Sequence, residues 1–184
     1  NSFMVVTGPE MNIKYSKFSN DRADQFAIRT DISFDRNAGW YVDKVPMTDE
    51  AQAHVASIST AYELLKERFE GSRIEINRCF PIENALRFEF AGGVSLEEMF
   101  DDLLDRKDEA GFIALFQEYL MMISYKSEIP VSDFDLIFSN ILVEDDRWNV
   151  IDYEWTFGKT IPPRELAYRA YYCYILGAEK RRKF

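Results

Sequence analysis

The sequence predicts an α+β fold in two lobes, a strand-rich first half followed by a shortened helical second half. Three observations carry this reading. Five short runs with strand-like composition precede Phe90, with one long helical stripe among them. Gly92-Gly93 then interrupts the chain as a flexible link, which puts the first lobe at residues 1–91 and the second at 92–184. Beyond that link, helix signals dominate, broken only by two short strands flanked by the polar residues Asn140 and Asp152.

The elements follow in order. Met11 to Ser19 and Phe26 to Phe34 alternate in part and are separated by a polar loop, Asn20 to Gln25. Asn37-Ala38-Gly39 supplies a turn, and Trp40 to Val45 a third strand. Thr48-Asp49-Glu50 has the composition of a helix start, a capping hydroxyl with two acids behind it. That helix runs to about Phe69, with Val55, Ile58, Ala61, Tyr62 and Leu65 on one stripe and Gly71 after its end. Strands are expected near Ile74 to Phe80 and Leu86 to Phe90. Ser95-Leu96-Glu97-Glu98 reads as a capping box, and a further helix spans about Gly111 to Ser124. A strand at Ile141 to Val143, a turn at Asp145-Asp146 and a strand at Asn149 to Asp152 come next. Pro162-Pro163 introduces a last, tyrosine-rich helix over about Arg164 to Leu176.

Bulk properties narrow the function classes. At 184 residues and 47% hydrophobic, the chain can bury a core but is too short for two ordinary domains. A formal charge of −10 opposes binding to nucleic acid or to an anionic membrane surface. No apolar run approaches the ~20 residues of a membrane span. Two cysteines, Cys79 and Cys173, and one histidine, His54, suit neither a disulfide framework nor a Cys/His zinc site. A histidine-based triad would need His54 itself, which falls on the first helix. The residues after Asn1 lack a charged and apolar leader, so a cytoplasmic location is expected, and the start reads as that of a piece cut from a longer protein.

The chemistry-bearing stretch is Val131 to Val143, followed by Val150-Ile151-Asp152-Tyr153-Glu154. Apolar strand residues lead directly into Asp152, and Asn140 sits just before a strand. A hairpin across Asp145-Asp146 would bring both to its open end, with Asp135 in the loop beside them. Two oxygen donors there suit magnesium, which takes few protein ligands and completes its octahedron with water and phosphate.

Asp135-Leu136-Ile137-Phe138-Ser139-Asn140 resembles the catalytic loop of protein kinases, and Asp152-Tyr153-Glu154 resembles their metal-binding motif in the form found in aminoglycoside and choline kinases. Val42-Asp43-Lys44 resembles the third-strand lysine motif, and Phe88 to Gly93 looks like a kinase hinge. The four matches occur in kinase order. The resemblance implies a protein-kinase-like fold binding ATP and magnesium. Asp135 would be the catalytic base, Asn140 and Asp152 the metal ligands, and Lys44 the partner of the α/β-phosphates, with Val42 over the adenine. A carboxylate of the helix after the third strand would pair with Lys44, Glu63 ahead of Glu67 and Glu50, and backbone groups at Glu89, Phe90 and Ala91 would hold the adenine.

There are departures. Asp133 stands where kinases usually carry histidine, the loop 20–25 has no glycine, and no Ala-Pro-Glu segment is present for docking a peptide. The last of these points away from protein substrates, and the missing glycines away from a cradle of backbone amides for the phosphates. The segments Ile137 to Asn140, Ile151 to Trp155 and Ile161-Pro162 further resemble kinase-like domains attached to methyltransferases or glycosyltransferases of bacterial surface polysaccharide synthesis. That resemblance implies a glycan or other small hydroxyl acceptor and a covalently linked methyltransferase or glycosyltransferase domain. Two alternatives were weighed. A phosphatase of the haloacid-dehalogenase type would use Asp133-Phe134-Asp135, but the residues before it, Glu128, Pro130 and Ser132, are not a buried apolar strand. A pseudokinase scaffold within a glycan-assembly protein would explain the missing glycine loop, but has no chemical need for the base, both metal ligands and the lysine together.

Overall fold

The computed structural model describes residues 12–19 and 21–183; Met11 of the expected first strand and Asn20 of the following loop lie outside them. The observed class is α+β, as expected. In chain order the first elements are β1 (Ile13–Phe18), β2 (Ile28–Asp35), β3 (Gly39–Pro46), α1 (Gln52–Phe69), β4 (Ile74–Ile76), β5 (Cys79–Ile82) and β6 (Ala85–Glu89). Then come β7 (Val94–Ser95), α2 (Leu96–Asp105), α3 (Glu109–Ile123), β8 (Ser132–Asp133), β9 (Ile141–Glu144), β10 (Arg147–Val150), β11 (Thr156–Phe157) and α4 (Pro163–Gly177). They gather into two compact units. One comprises the described residues up to Val55 with Phe80–Phe90, the other Ala56–Cys79 with the chain from Ala91 onward.

The first unit is a five-stranded sheet in the order β1-β2-β3-β6-β5. β2 and β3 pair antiparallel without a break from Ile28↔Pro46 to Asp35↔Gly39. The turn between them forms as its composition predicts. The Asp35 carboxylate accepts from the amides of Asn37 (2.8 Å) and Ala38 (3.0 Å), which lower its pKa, and Gly39 takes the φ of +77° that closes the turn. The helix start differs from expectation. Thr48 Oγ1 accepts from the Ala51 amide (3.2 Å) and donates to the Asp24 carbonyl (2.7 Å), so the hydroxyl caps a turn. The α-helix itself begins at Gln52, and Asp49 and Glu50 lie outside it.

The second unit holds the sheet β4-β10-β9-β7 and the two-stranded pair β11-β8. The run expected as one strand over 74–80 is broken at Asn77. Its amide donates to the Val150 carbonyl (2.9 Å) and its carbonyl accepts from the Tyr153 hydroxyl (2.7 Å), so β4 runs parallel to β10 instead of joining the first sheet. Of the predicted α1 stripe, Val55, Ile58, Ala61 and Leu65 are buried. The capping box forms as read: Ser95 Oγ accepts from the Glu98 amide (3.1 Å), and the Glu98 carboxylate accepts from the Ser95 amide (2.9 Å). Just before it, Gly93 has a φ of +114°, and a Cβ there would lie 2.7 Å from the Val143 carbonyl oxygen. Only glycine lets β7 reach β9 at Val94↔Val143. An aromatic core of Phe100, Phe112, Tyr119, Phe138 and Tyr174 fills the space among the helices, with Phe100 and Phe138 centroids 4.5 Å apart.

Candidate active site

The hairpin read from the sequence is present. β9 and β10 pair antiparallel from Arg147↔Glu144 to Val150↔Ile141, and the ladder continues one step past the strands with Ile151 N–H donating to the Asn140 carbonyl (2.9 Å). A second tie lies on the other side of the loops. β8 pairs with β11 at Asp133↔Thr156, and the Phe134 amide donates to the Trp155 carbonyl (3.0 Å). Segments 134–140 and 151–155 are therefore held against each other at both ends. Asp135, Asn140 and Asp152 all lie between those two backbone bonds.

Within this frame the side chains are oriented individually. Asn140 Nδ2 donates to the Asp135 carbonyl (3.0 Å), which fixes the amide and turns its oxygen to the opposite side. Asp152, just beyond the end of β10, has a φ of +56°. Aspartate visits that region more readily than most residues, and such conformations gather at functional sites because the surrounding structure must enforce them. The paired segments on either side supply that enforcement. Tyr153 is fully buried, and burial raises its pKa, with a hydrogen bond involving Cys79 adding to the shift.

Asp133, noted in the sequence as a departure, and three residues that no sequence pattern marks, Tyr119, Arg169 and Arg68, support the Asp135 loop. Asp133 is 1% exposed, and its Oδ1 accepts from the Asp135 amide (3.0 Å). Tyr119 on α3 donates its hydroxyl to the Leu136 carbonyl (2.7 Å). Arg169 on α4 donates to the Asp135 carboxylate (2.5 Å) and to the Phe134 carbonyl (2.8 Å), with its guanidinium 4.0 Å from the Phe134 ring centroid. Arg68, near the end of α1, reaches the carbonyls of Val131 (2.6 Å) and Ile123 (2.8 Å). Arg169 lies thirty-four residues from its partner and Arg68 more than sixty from Val131. Only tertiary structure joins such pairs.

The remaining predicted site residues are described in their own units. In the first, the β3–β6 register sets Val42 opposite Phe88 and Lys44 opposite Leu86. Strand alternation puts these four on one face of the sheet. Lys44 is 5% exposed, and its ammonium lies 5.6 Å from the Phe88 ring centroid. The opposite face carries Tyr41, Asp43 and Arg87, where Arg87 makes two bonds to Asp43 (2.7 and 2.8 Å) and stacks on Tyr41. Glu89, paired with Tyr41, belongs to that second face. Phe90 is half-exposed against Trp40, with ring centroids 5.7 Å apart. In the second unit, Glu63 is exposed on α1 and Ala91 begins the extended stretch before β7.

The donor set at Asn140 and Asp152 fits magnesium. It offers one amide and one carboxylate oxygen, and the Nδ2 bond to Asp135 commits the amide to presenting its oxygen elsewhere. Among the described residues, no group of three or more His, Cys, Asp or Glu is arranged to hold a metal ion.

No protein-family model and no curated protein matches the chain. Solved structures similar to it include the apoenzyme of macrolide 2′-phosphotransferase MphH from Brachybacterium faecium, at 12% identity and a TM-score of 0.46 over 91% of this chain and 89% of that one. ADP-bound aminoglycoside phosphotransferase APH(2'')-Ib is similar at 14% identity and a TM-score of 0.48, over 89% of this chain and 71% of that one. The streptomycin–ATP ternary complex of APH(2")-IIa is similar at 14% identity and a TM-score of 0.46, over 93% and 81%.

Proposed function

We propose that the chain is an ATP- and magnesium-dependent phosphotransferase acting in the cytoplasm on a non-protein hydroxyl acceptor, a glycan of bacterial surface polysaccharide synthesis. One observation supports this above the rest. Asp135, Asn140 and Asp152 lie on two loops tied together at both ends, with Asp152 kept in a left-handed conformation that a free loop would relax. In this reading Asn140 and Asp152 hold the magnesium, whose charge stabilises the transferring phosphate, and Asp135 accepts the acceptor's proton. Lys44, buried beside Phe88, pairs with the α/β-phosphates next to Val42, and the backbone at Glu89, Phe90 and Ala91 receives the adenine.

The test separates the two loops. Asp152→Ala is expected to abolish magnesium-dependent ATP binding in calorimetry. Asp135→Asn keeps a hydrogen-bond partner for Arg169; it is expected to leave ATP affinity within about threefold of the parent and to lower labelled-phosphate transfer by at least ~10²-fold, the usual worth of a general base. Unchanged ATP binding and transfer in both variants would refute the reading. Nucleotide binding by the parent without transfer to any acceptor would favour a scaffold.

A further inference from the structure

Next to the Asp135 loop, on its α4 side, lies a pocket of about 610 Å³ lined by Phe134, Arg164, Glu165, Tyr168, Arg169 and Tyr172. Its size falls within the range of small-molecule sites, roughly 300–1,000 Å³. Two features need a physical reason. Tyr168 and Tyr172, one helical turn apart, stack with ring centroids 6.2 Å apart and planes 15° from parallel, yet are 72% and 53% exposed. Water gains nothing from a preordered aromatic pair, whereas the weakly positive C–H face of a sugar ring sits well on the negative face of an aromatic ring. Arg164, in contrast, lies in the first turn of α4, where the helix dipole disfavours a cation, and it makes no ion pair among the described residues. Arg164 is exposed, beside Glu165, and an arginine without an ion pair in a chain of net charge −10 is suited to receive an anion.

We propose that this pocket receives the phosphoryl acceptor and that the acceptor is a negatively charged sugar, its ring on Tyr168 or Tyr172 and its carboxylate or phosphate on Arg164. The inference rests on the phosphotransferase reading for its chemistry and on the pocket for its substrate class. Arg169 connects the two. It lines the pocket, stacks on Phe134 and binds the Asp135 carboxylate, so a sugar seated against Arg169 lies beside Asp135. In the step, the sugar hydroxyl gives its proton to Asp135 and its oxygen bonds to the γ-phosphorus of ATP. The bond from that phosphorus to the β,γ-bridging oxygen breaks, and ADP leaves. Arg169 is a positioning residue for Asp135, while Arg164 and the two tyrosines determine specificity.

The test measures sugar binding by calorimetry or ligand-observed NMR without nucleotide, using glucuronate, glucose 6-phosphate and neutral glucose, and magnesium-ATP affinity separately. Both anionic sugars are expected to bind at least tenfold tighter than glucose. Arg164→Gln is expected to remove that preference, and Tyr172→Ala to weaken all three sugars, with ATP affinity unchanged in both. Glucuronate alone binding would identify a carboxylate acceptor, and glucose 6-phosphate alone a phosphate one; either supports the site. Equal binding of neutral and anionic sugars, a preference that survives Arg164→Gln, or no saturable binding of any of them overturns the inference. Loss of the preference alongside intact magnesium-ATP binding leaves the phosphotransferase reading standing. Intact sugar preference with no ATP binding refutes that reading and not the pocket.

Discussion

Arg68 offers the sharpest test of how the Asp135 loop is held. Its guanidinium is 1% exposed, with Nη1 2.6 Å from the Val131 carbonyl, Nη2 2.8 Å from the Ile123 carbonyl and Nε at a longer 3.4 Å from that of Tyr125. Burial pushes its pKa down, opposed by the negative charges of Glu128 and Asp133. Arg68→Met keeps most of the apolar stem but leaves two buried carbonyls without a donor. At about 1–3 kcal/mol for each unsatisfied group, the loss is expected to be roughly 4 kcal/mol. At about 2–4 °C per kcal/mol for a chain of this size, the melting temperature should fall by roughly 8–16 °C. Arg68→Lys can reach one carbonyl but not both, since an ammonium lacks the guanidinium fork, so it should fall between the parent and Arg68→Met. Urea titration followed by circular dichroism reads the effect as a lowered midpoint with an unchanged slope. A loss below about 1 kcal/mol in Arg68→Met, or a lysine variant as stable as the parent, would refute the view that these bonds anchor the chain leading into the loop.

Two further outcomes follow from particular geometry. Gly93→Ala combines a positive φ with a Cβ 2.7 Å from a backbone oxygen; it is expected to destabilise by on the order of 2–3 kcal/mol, and a change within experimental error in the same titration would count against the β7–β9 contact. Asp101 accepts two bonds from Arg181 (2.7 and 2.9 Å) and one from Tyr174 (2.9 Å), and the Arg181 bond, first among the causes, holds its pKa below the ordinary carboxylate value. The unfolded chain then binds this proton at higher pH than the folded one. The stabilisation is present above the unfolded value of about 4 and is lost as the pH falls through the folded value. Asp101→Asn should therefore flatten the decline in stability below roughly pH 4–5, and an unchanged acid limb would show that the cluster does not contribute.

What the sequence showed and what it hid divide along the range of the interaction. The hairpin at Asp145-Asp146, the capping box at Ser95 and the turn at Asn37 to Gly39 are local patterns, and each formed where it was read. The start of α1 was misread because Thr48 is chemically suited to cap either a helix or a turn; its bond to the distant Asp24 carbonyl goes with the turn. The strand expected over 74–80 was split by Asn77, whose backbone is engaged by Val150 and Tyr153, more than seventy residues away. Burial of Lys44 rests on the β3–β6 register, which sets it among Val42, Leu86 and Phe88 on one face of the sheet. The pocket along α4 was illegible for a similar reason. A tyrosine is suited to core or to surface, and only the folded chain shows that Tyr174 is buried while Tyr168 and Tyr172 are exposed.

Asp133 gains a physical account from the same long-range contacts. In the sequence it is a departure, an acid where kinases usually carry histidine, only two residues from a second acid. Two carboxylates so close, one of them 1% exposed, would repel and resist burial if left alone. Each has its own compensation. Asp133 lies within the field of the buried Arg68, whose charge it stabilises, and Asp135 is bound directly by Arg169. The first arginine comes from α1 and the second from α4, so the loop's charge is balanced from two sides by elements far from it in sequence. The Asp133 carboxylate also acts on the backbone, accepting the Asp135 amide and so fixing the residue that carries the base in the proposed reaction. A histidine in that position would bring a donor as well as an acceptor and would leave Arg68 with Glu128 but without the second of its two negative charges. Replacing Asp133 alone by histidine would remove one of the two negative charges near the buried guanidinium and the carboxylate that accepts the Asp135 amide, a cost that the loop would bear directly.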